Sequence, residues 1–204
     1  MASEIGSPKV IRSTFYYPLE DTSNIRFDVF KEPLTSVGDL GWYNIRAIIE
    51  FLDPETEIIK VKASREVDKE TGAIVRAGGI VAYKDGKTST FDFGFDMGVC
   101  LMDLDIIGDR GLIRLDDFVL DWKSGLGFNN EDHILGYSVR LGMEEPKDWG
   151  FVPVQSEKPQ AVIMIENFTK MASDPLGNTA IASINASLKT QKLLDAVFEA
   201  CVED

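Results

Sequence analysis

The sequence predicts an α+β fold with a mainly antiparallel sheet. Strand-like segments follow one another in the middle of the chain without helices between them, and runs of adjacent strands are typical of this class. The pair Asp85-Gly86 separates two of these segments and is a strong signal for an antiparallel hairpin. With 204 residues, 44% of them hydrophobic, the chain has the size and composition of one folded domain. We therefore expect a single domain over residues 1–204.

The first half of the chain predicts one strand, one helix and then most of the sheet. A β-branched and aromatic run at 9–17 indicates a strand that ends before Pro18. A loop at 20–36 leads into an apolar stretch at 37–52, which indicates the first helix. After Pro54 the composition changes to that of strands separated by turn residues. The strands predicted there are 57–67, 73–84, 88–97, 99–107, 112–115 and 118–120.

The second half of the chain predicts one more strand and two helices. An irregular loop is expected at 123–135, followed by a strand at 136–142. Apolar side chains then recur with helical spacing, which indicates a helix over 160–172 and a final helix that starts near residue 184. The apolar positions are Ala161, Ile165, Phe168 and Ala172 in the first of these helices, and Leu193, Val197 and Cys201 in the second.

The net charge of the chain excludes some classes of binding partner. The chain has 21 Lys and Arg residues against 34 Asp and Glu residues, a net charge of −13. This excess of negative charge repels phosphate backbones and anionic lipid headgroups, so we expect neither nucleic acid nor a membrane as a partner. Cys100 and Cys201 lack the spacing of a zinc site or a disulfide framework. No signal peptide or spanning segment is evident, and the expected compartment is the cytoplasm.

The predicted first helix carries a narrow polar stripe on an otherwise apolar surface. At about 100° per residue, Asp39, Tyr43, Arg46 and Glu50 fall on one line along the helix. The remaining positions are largely apolar, so we expect the helix to be buried on most sides with this stripe facing a cleft or another domain. Such an arrangement is able to hold a substrate.

A purely structural interpretation of the stripe is the alternative. Ser36 and Asp39 fit the spacing of a capping box, in which the two side chains satisfy the free amides at the start of the helix. Arg46 and Glu50 are four residues apart and can form an ion pair on the helix surface. From the pattern alone, structure is favoured over chemistry.

Four segments carry a resemblance to a known family. They are Asn24-Ile25-Arg26, Gly38-Asp39-Leu40-Gly41-Trp42-Tyr43, Gly108-Asp109-Arg110-Gly111-Leu112-Ile113-Arg114-Leu115 and Lys189-Thr190-Gln191-Lys192-Leu193-Leu194-Asp195-Ala196-Val197. In order and spacing they resemble the C-terminal domain of the Gfo/Idh/MocA oxidoreductases, an open, mainly antiparallel sheet with helices on one face. The likeness covers nearly the whole chain, and the dihydrodiol-dehydrogenase-like members are the most similar branch.

The resemblance implies roles for particular residues. Asp39 and Tyr43 fall on the family's Asp-x-x-x-His/Tyr motif and would be catalytic, with Tyr43 in place of the more usual histidine. Asn24, Arg26 and Arg46 would bind substrate. The resemblance also implies that the face of the sheet opposite the helices packs against a second subunit.

The cofactor-binding half of such an enzyme is not evident in the sequence. No G-x-G-x-x-G follows a strand and opens a helix, and the run Gly125-Leu126-Gly127-Phe128-Asn129-Asn130 lacks the third glycine. Glu157-Lys158-Pro159 spells the family's catalytic lysine motif, but it lies after the substrate-domain motifs instead of before them. We therefore expect no cofactor-binding residue in this chain, and NAD or NADP would act through a missing N-terminal domain.

Two further features favour structural interpretations. His133, the single histidine, stands in a polar acidic loop, where a surface position is the expectation and no metal site is predicted. Asp103 and Asp105 alternate with Leu104 on a predicted strand, so they share a face and are expected to be hydrated.

The leading hypothesis is a substrate-binding and dimerisation domain of a NAD(P)-dependent oxidoreductase that acts on the CH-OH group of a sugar, polyol or dihydrodiol, encoded here as a truncated product. The alternative is a freestanding, non-catalytic dimer that binds a sugar or regulates another protein. In both cases we expect a small-molecule ligand and a homodimer formed through an apolar open face of the sheet. The apolar residues assigned to alternate positions of its strands are Ile80, Ala82, Phe91, Phe93 and Phe95.

Overall fold

An eight-stranded sheet forms the centre of the structure, a computed structural model that describes residues 2–52, 57–125 and 128–203. The expected boundary at Pro54 and part of the glycine-containing run at 125–130 lie outside the described residues. The strands are β1 (Pro8–Tyr16), β2 (Ile58–Val67), β3 (Ile74–Tyr83), β4 (Thr88–Gly94), β5 (Leu101–Gly108), β6 (Gly111–Leu115), β7 (Gly136–Leu141) and β8 (Gly150–Pro153).

The strand order across the sheet is β2-β3-β4-β1-β5-β6-β7-β8. Strand β1 lies parallel to β4, and the other neighbouring pairs are antiparallel. The turn at Asp85-Gly86 joins β3 to β4 as an antiparallel hairpin, with Gly86 at a φ of 84° that suits glycine. The predicted α+β fold with a mainly antiparallel sheet is confirmed.

Besides two 3-10 turns, the described residues form one short helical turn, one composite segment and two longer helices near the end of the chain. The composite segment runs without interruption from a π-helical turn at Val37–Gly41 through an α-helix to a second π-helical turn at Ile48–Leu52, and we call it the α2 segment. The α-helices are α1 (Ala2–Ile5), α2 (Trp42–Ala47), α3 (Gln160–Ser173) and α4 (Asn178–Val202). Within the described parts of the chain, no helix combines the length and the apolar character that crossing a membrane requires.

The core lies between one face of the sheet and the helices packed on it. The α2 segment contributes Ile45, Ile48 and Leu52, all buried. Helix α4 buries the predicted apolar positions of its second half, and the sheet meets both helices with alternate side chains of its central strands. The buried residues on this face are Leu193, Leu194, Val197 and Cys201 of α4, and Ile11, Phe15, Val81, Phe91, Phe93, Met102, Leu104, Ile106 and Ile113 of the sheet.

The predicted apolar open face is wrong, because the register places the phenylalanines on the helix side. Phe91 lies opposite Gly79 in the ladder between β3 and β4, whereas Ile80 lies opposite Thr90. Neighbouring residues of a strand point to opposite faces, so Ile80 and Ala82 cannot share a face with Phe91 and Phe93. Phe91, Phe93 and Phe95 are all buried in the core, and Ile80 and Ala82 lie on the other side.

The open face of the sheet is polar and charged. Arg114 of β6 donates two hydrogen bonds to Asp105 of β5, at 2.6 and 2.8 Å, and its guanidinium lies 5.0 Å from the centre of the Trp149 ring. Asp105 is nearly buried by this contact, so the expectation of a hydrated Asp105 is wrong, although it does share a face with Asp103. Burial raises the pKa of Asp103, with Arg114 acting in the opposite direction.

The structure differs from the predictions in three details after β6. Residues 118–120 form no strand, because Val119 packs into the core as loop and its carbonyl accepts a hydrogen bond from Gln160 Nε2 at 3.1 Å. Helix α4 begins at Asn178, directly after Gly177 and six residues earlier than expected, through a stretch of small and polar residues that periodicity does not detect. Strand β8 was not predicted, and it pairs antiparallel with β7.

Candidate functional site

The α2 segment is held on the sheet by a close approach of backbone to ring. A Cβ atom added at Gly41 would lie 2.8 Å from Phe93 Cζ, closer than side chains tolerate. Only glycine therefore allows the segment to lie directly on β4 at this point. Immediately before the segment, Thr35 adopts a φ of 49°, and its Oγ1 accepts a hydrogen bond from the Ile74 N–H of β3 at 3.1 Å.

The expected capping box at Ser36 and Asp39 is not formed. Ser36 already has helical backbone angles and makes no capping hydrogen bond through its side chain. Its Oγ is fully buried and has no hydrogen-bond partner in the described parts of the chain. The carboxylate of Asp39 instead pairs with Arg26, so the capping role considered for Asp39 is wrong.

Asn24, Arg26 and Asp39 form one hydrogen-bonded cluster, which we call the polar cluster. Arg26 donates from Nε to Asp39 Oδ2, and from Nη2 to Asp39 Oδ1 at 3.4 Å. Asn24 Oδ1 accepts from the backbone N–H of Arg26 at 3.1 Å and from its Nη1 at 3.4 Å. The amide of Asn24 thus caps the 3-10 turn at Ile25–Phe27 and orients the guanidinium at the same time.

The electrostatics of the polar cluster keep Arg26 charged. The hydrogen bond to Asp39 is the main cause that raises the pKa of Arg26, and the charge of Asp39 acts in the same direction. Glu32 and Tyr17 also lie close enough to raise it. Neither of these two residues was predicted from the sequence. Both stand outside the helical stripe, so only the folded loop before the α2 segment brings them near Arg26.

Tyr43 lies one turn after Asp39 on the exposed side of the α2 segment. Its side chain is 42% exposed, and its ring packs edge-on against Phe15 of β1 with the ring centres 5.5 Å apart. Contact with a buried ring restricts the orientation of Tyr43 while leaving part of it open to solvent. Asp39 and Tyr43 therefore both remain accessible to a ligand.

Arg46 and Glu50, at the far end of the stripe, form the predicted ion pair. Arg46 also donates from Nη1 to Ser187 Oγ of α4 at 3.3 Å, so it ties the α2 segment to the last helix. The structure thus brings Asn24 and Arg26 to Asp39 and engages Arg46 in a second, separate pair. The two exposed residues of the segment, Tyr43 and Glu50, both lie on the predicted stripe, whereas Asp39 and Arg46 are half-buried.

Lys158 and His133 have contacts of their own. Lys158 Nζ lies 2.5 Å from Glu166 Oε1 of α3, at the edge of a cleft of about 480 Å³ that includes Gln160 and Tyr137. His133 is less exposed than the expected surface position, because its Nε2 lies 3.7 Å from the carboxylate of Asp117. Burial, reinforced by the charge of Asp116, raises the pKa of Asp117, and the nearby His133 opposes that change.

These features define a class of domain: an open eight-stranded sheet with helices on one face, and a half-exposed polar stripe along the first long helix. No model of a known protein family matches the chain. Several solved structures with the same fold are oxidoreductases. One is KijD10, a 3-ketoreductase from Actinomadura kijaniata in complex with NADP and TDP-benzene, with a TM-score of 0.76 and 18% sequence identity.

Two further similar structures have comparable scores. They are an NAD binding oxidoreductase from Klebsiella pneumoniae, with a TM-score of 0.70 and 16% identity, and an aldose-aldose oxidoreductase from Caulobacter crescentus complexed with glycerol, with a TM-score of 0.73 and 14% identity. The alignments cover 97%, 98% and 96% of this chain but only 55%, 58% and 54% of the three enzymes. At these identities the likeness shows the fold, and the chain spans just over half the length of the proteins it matches.

The unpartnered hydroxyl of Ser36 leads to a prediction about stability. Ser36→Ala should change the free energy of unfolding by less than about 0.5 kcal/mol, because no hydrogen bond is lost. A capping serine would cost about 1 kcal/mol on the same change. Urea unfolding monitored by circular dichroism measures the difference.

The neighbouring Thr35 supplies the matched comparison. Thr35→Val keeps the shape of the side chain but leaves the buried Ile74 N–H without its acceptor, which should cost about 1–3 kcal/mol. If Ser36→Ala destabilised the protein as much as Thr35→Val, the Ser36 hydroxyl would have a partner in solution and the assignment above would be wrong.

Proposed function

We propose that this chain is the substrate-binding domain of a NAD(P)-dependent oxidoreductase that acts on the CH-OH group of a sugar, polyol or dihydrodiol. The observation that carries the proposal is the polar cluster beside Tyr43 on the exposed stripe of the α2 segment, in a fold shared with oxidoreductases. A structurally similar ketoreductase is described in complex with NADP and a TDP compound, and an aldose-aldose oxidoreductase in complex with glycerol. Both ligands are consistent with hydroxyl-bearing substrates for this chain. Dihydrodiols are one of the substrate classes within this proposal, in keeping with the resemblance to the dihydrodiol-dehydrogenase-like branch.

The polar cluster has the groups that substrate alcohols require. Asp39 is an acceptor for a substrate hydroxyl, and Arg26 fixes the direction of that carboxylate through two hydrogen bonds. Tyr43 offers a phenolic O–H that can donate or relay the proton of the reacting hydroxyl. Asn24 and Arg46 would contribute to orientation at the two ends of the stripe. The hydride would be exchanged with a nicotinamide, which supplies the redox chemistry.

The nicotinamide would have to be bound elsewhere than in this chain. The sequence has no glycine-rich turn of the dinucleotide-binding kind, and Lys158 is paired with Glu166 in the described structure. A second domain, joined covalently or supplied by another protein, would therefore complete the enzyme. The same observation favours the alternative function, a freestanding dimer that binds a sugar without converting it.

The missing dinucleotide turn generates a prediction about the isolated chain. Titration with NADPH in a calorimeter should give no binding at micromolar concentrations, because nothing in the sequence cradles the pyrophosphate. Joining the chain to the nucleotide-binding domain of a similar oxidoreductase should restore binding. Micromolar affinity of the isolated chain would contradict the prediction, and turnover abolished by Lys158→Ala would assign that lysine to catalysis.

Substitutions of Asp39 and Tyr43 test the proposed site. In the reconstituted two-domain enzyme, Asp39→Asn and Tyr43→Phe should each lower kcat/KM by about 10²-fold or more, the usual scale for groups that act on a transferred proton. Thermal unfolding should change little. The Arg26–Asp39 pair is partly exposed, with side-chain exposures of 40% and 27%, and such pairs contribute about 1 kcal/mol at most.

Asp28→Asn is the matched control for Asp39→Asn. Asp28 precedes the α2 segment and, like Asp39, forms an ion pair, with Lys31 at 2.7 Å. It lies off the stripe, so its substitution should leave kcat/KM unchanged. Equal activity of the Asp28 and Asp39 variants would show that the stripe serves structure alone.

We also propose that the chain dimerises through the open face of the sheet, as the resemblance noted from the sequence implies. The face carries charged residues of both signs together with Tyr16 and Trp149, and arginine, tyrosine and tryptophan are enriched at protein interfaces. A two-fold axis through a face with both charges allows each copy to meet the opposite charge on the other. The support is therefore electrostatic complementarity in place of the apolar patch expected from the sequence.

Sedimentation equilibrium measures the proposed dimer. The chain should behave as a dimer at micromolar concentration, and Thr90→Arg, which adds bulk and charge at the centre of the open face, should produce a monomer with unchanged circular dichroism. Glu70→Arg, in the exposed turn between β2 and β3, is the control and should remain dimeric. A folded wild-type monomer under these conditions would rule the interface out.

A further inference from the structure

Three metal-ligating side chains that the candidate site does not use converge at the end of β6. Asp116 and Asp117 follow the strand directly, and His133 reaches them from the loop before β7. Each offers one possible ligand atom, and these atoms all lie within 4.8 Å of one another. The two acids and the histidine are 16 residues or more apart in sequence, so only the fold brings them together.

The backbone holds the cluster from both sides. Asp117 forms an isolated parallel bridge with Met102 of β5, and the next residue, Phe118, donates its N–H to the Met102 carbonyl at 3.2 Å. On the other side, the His133 N–H donates to the Asn130 carbonyl at 3.0 Å. These main-chain hydrogen bonds position the backbone of Asp117 and His133, and the side chains of the cluster extend from that backbone.

The charge of the Asp117 carboxylate is compensated in part by a hydrogen bond from its own backbone N–H and by the nearby His133. Its side chain is only 8% exposed, and its ion-pair partner among the described residues is His133 Nε2 at 3.7 Å, beyond hydrogen-bonding distance. Asp116 brings a second negative charge to the same place. Burying a carboxylate is unfavourable unless a cation or hydrogen-bond donors neutralise it. This geometry points to a cation between the three side chains.

We propose that Asp116, Asp117 and His133 form a binding site for a divalent transition-metal ion of the Zn²⁺ type. Two carboxylate oxygens and one imidazole nitrogen suit such ions, whereas Mg²⁺ and Ca²⁺ prefer all-oxygen sites. Ligands at about 2.1 Å from a common ion lie at most about 4.2 Å apart, so the side chains need only small adjustments. The ion links the loop before β7 to the end of β6.

The surroundings leave room for further ligands. Asp116 is exposed, and a cleft of about 130 Å³ borders Asp116 and His133, with Ser138 also in its wall. Water molecules in this cleft can complete a four-coordinate shell around three protein ligands. The site does not depend on the proposed oxidoreductase function, because none of its residues belongs to the stripe or to the polar cluster.

Calorimetry on the full chain, first stripped of metal with a chelator, tests the proposal. Zn²⁺ should bind with one ion per chain and micromolar or tighter affinity, and Mg²⁺ should bind at least tenfold more weakly. His133→Ala should weaken Zn²⁺ binding by at least tenfold. Asp132→Asn changes an exposed acid of the same loop that lies outside the cluster, and it should leave the affinity unchanged.

Thermal unfolding gives a second readout. Zn²⁺ should raise the melting temperature of the wild type and of Asp132→Asn, but not that of His133→Ala, because an ion that binds only the folded state stabilises it. Asp117→Asn should also weaken zinc binding. If that variant fails to fold, Asp116→Asn, at an exposed position, replaces it and should weaken zinc binding too. Zinc affinity that is equal in the wild type and in His133→Ala would place the ion elsewhere, for example at the Cys100 thiol, and would overturn the proposal.

Discussion

The burial of the α2 segment against one face of the sheet is the constraint on which the rest of the structure depends. Gly41 allows its backbone to contact Phe93, and Thr35 anchors its start to β3 through a hydrogen bond. Because most of the segment is buried, its fully exposed side chains, Tyr43 and Glu50, lie on one line. The same packing that stabilises the domain therefore also decides where a ligand can reach it.

The polar cluster joins residues of the α2 segment to residues of the loop that precedes it. Asp39 stands on the helix, but Arg26 comes from a 3-10 turn before it, and Asn24 holds the arginine in place. A fixed carboxylate beside a half-exposed tyrosine is suited to recognise and deprotonate an alcohol, and this is why the oxidoreductase proposal rests here. The fold is shared with longer oxidoreductases, and nearly half of each of those chains has no counterpart in this one.

The two faces of the sheet differ in polarity. Buried aromatic and aliphatic side chains occupy the helix side, while Arg114, Asp105 and Trp149 interact on the other side. A polar surface with charges of both signs can face either solvent or a partner of complementary charge. An apolar surface of this size would be unfavourable in water unless a partner buried it. Association through this face would then depend on ionic strength.

Much of the fold and the outline of the candidate site were determined by the sequence alone. Turn residues and side-chain periodicity depend on neighbours along the chain, so they predicted the hairpin at Asp85-Gly86, most strands, and the helix with its polar stripe. Strand register depends on pairing between distant segments, and a shift of one residue exchanges the two faces, which is why the phenylalanines of β4 were assigned to the wrong side.

The tertiary structure alone decided which polar groups meet. Arg26 with Asp39, Arg46 with Ser187 and Asp117 with His133 are pairs whose members lie between 13 and 141 residues apart. Sequence patterns predict local partners, such as Ser36 for Asp39, because they contain information only about residues within one or two helical turns. Side chains choose partners by distance in space, and that distance is set by how the loop before the α2 segment, the last helix and the loop before β7 fold back onto the sheet.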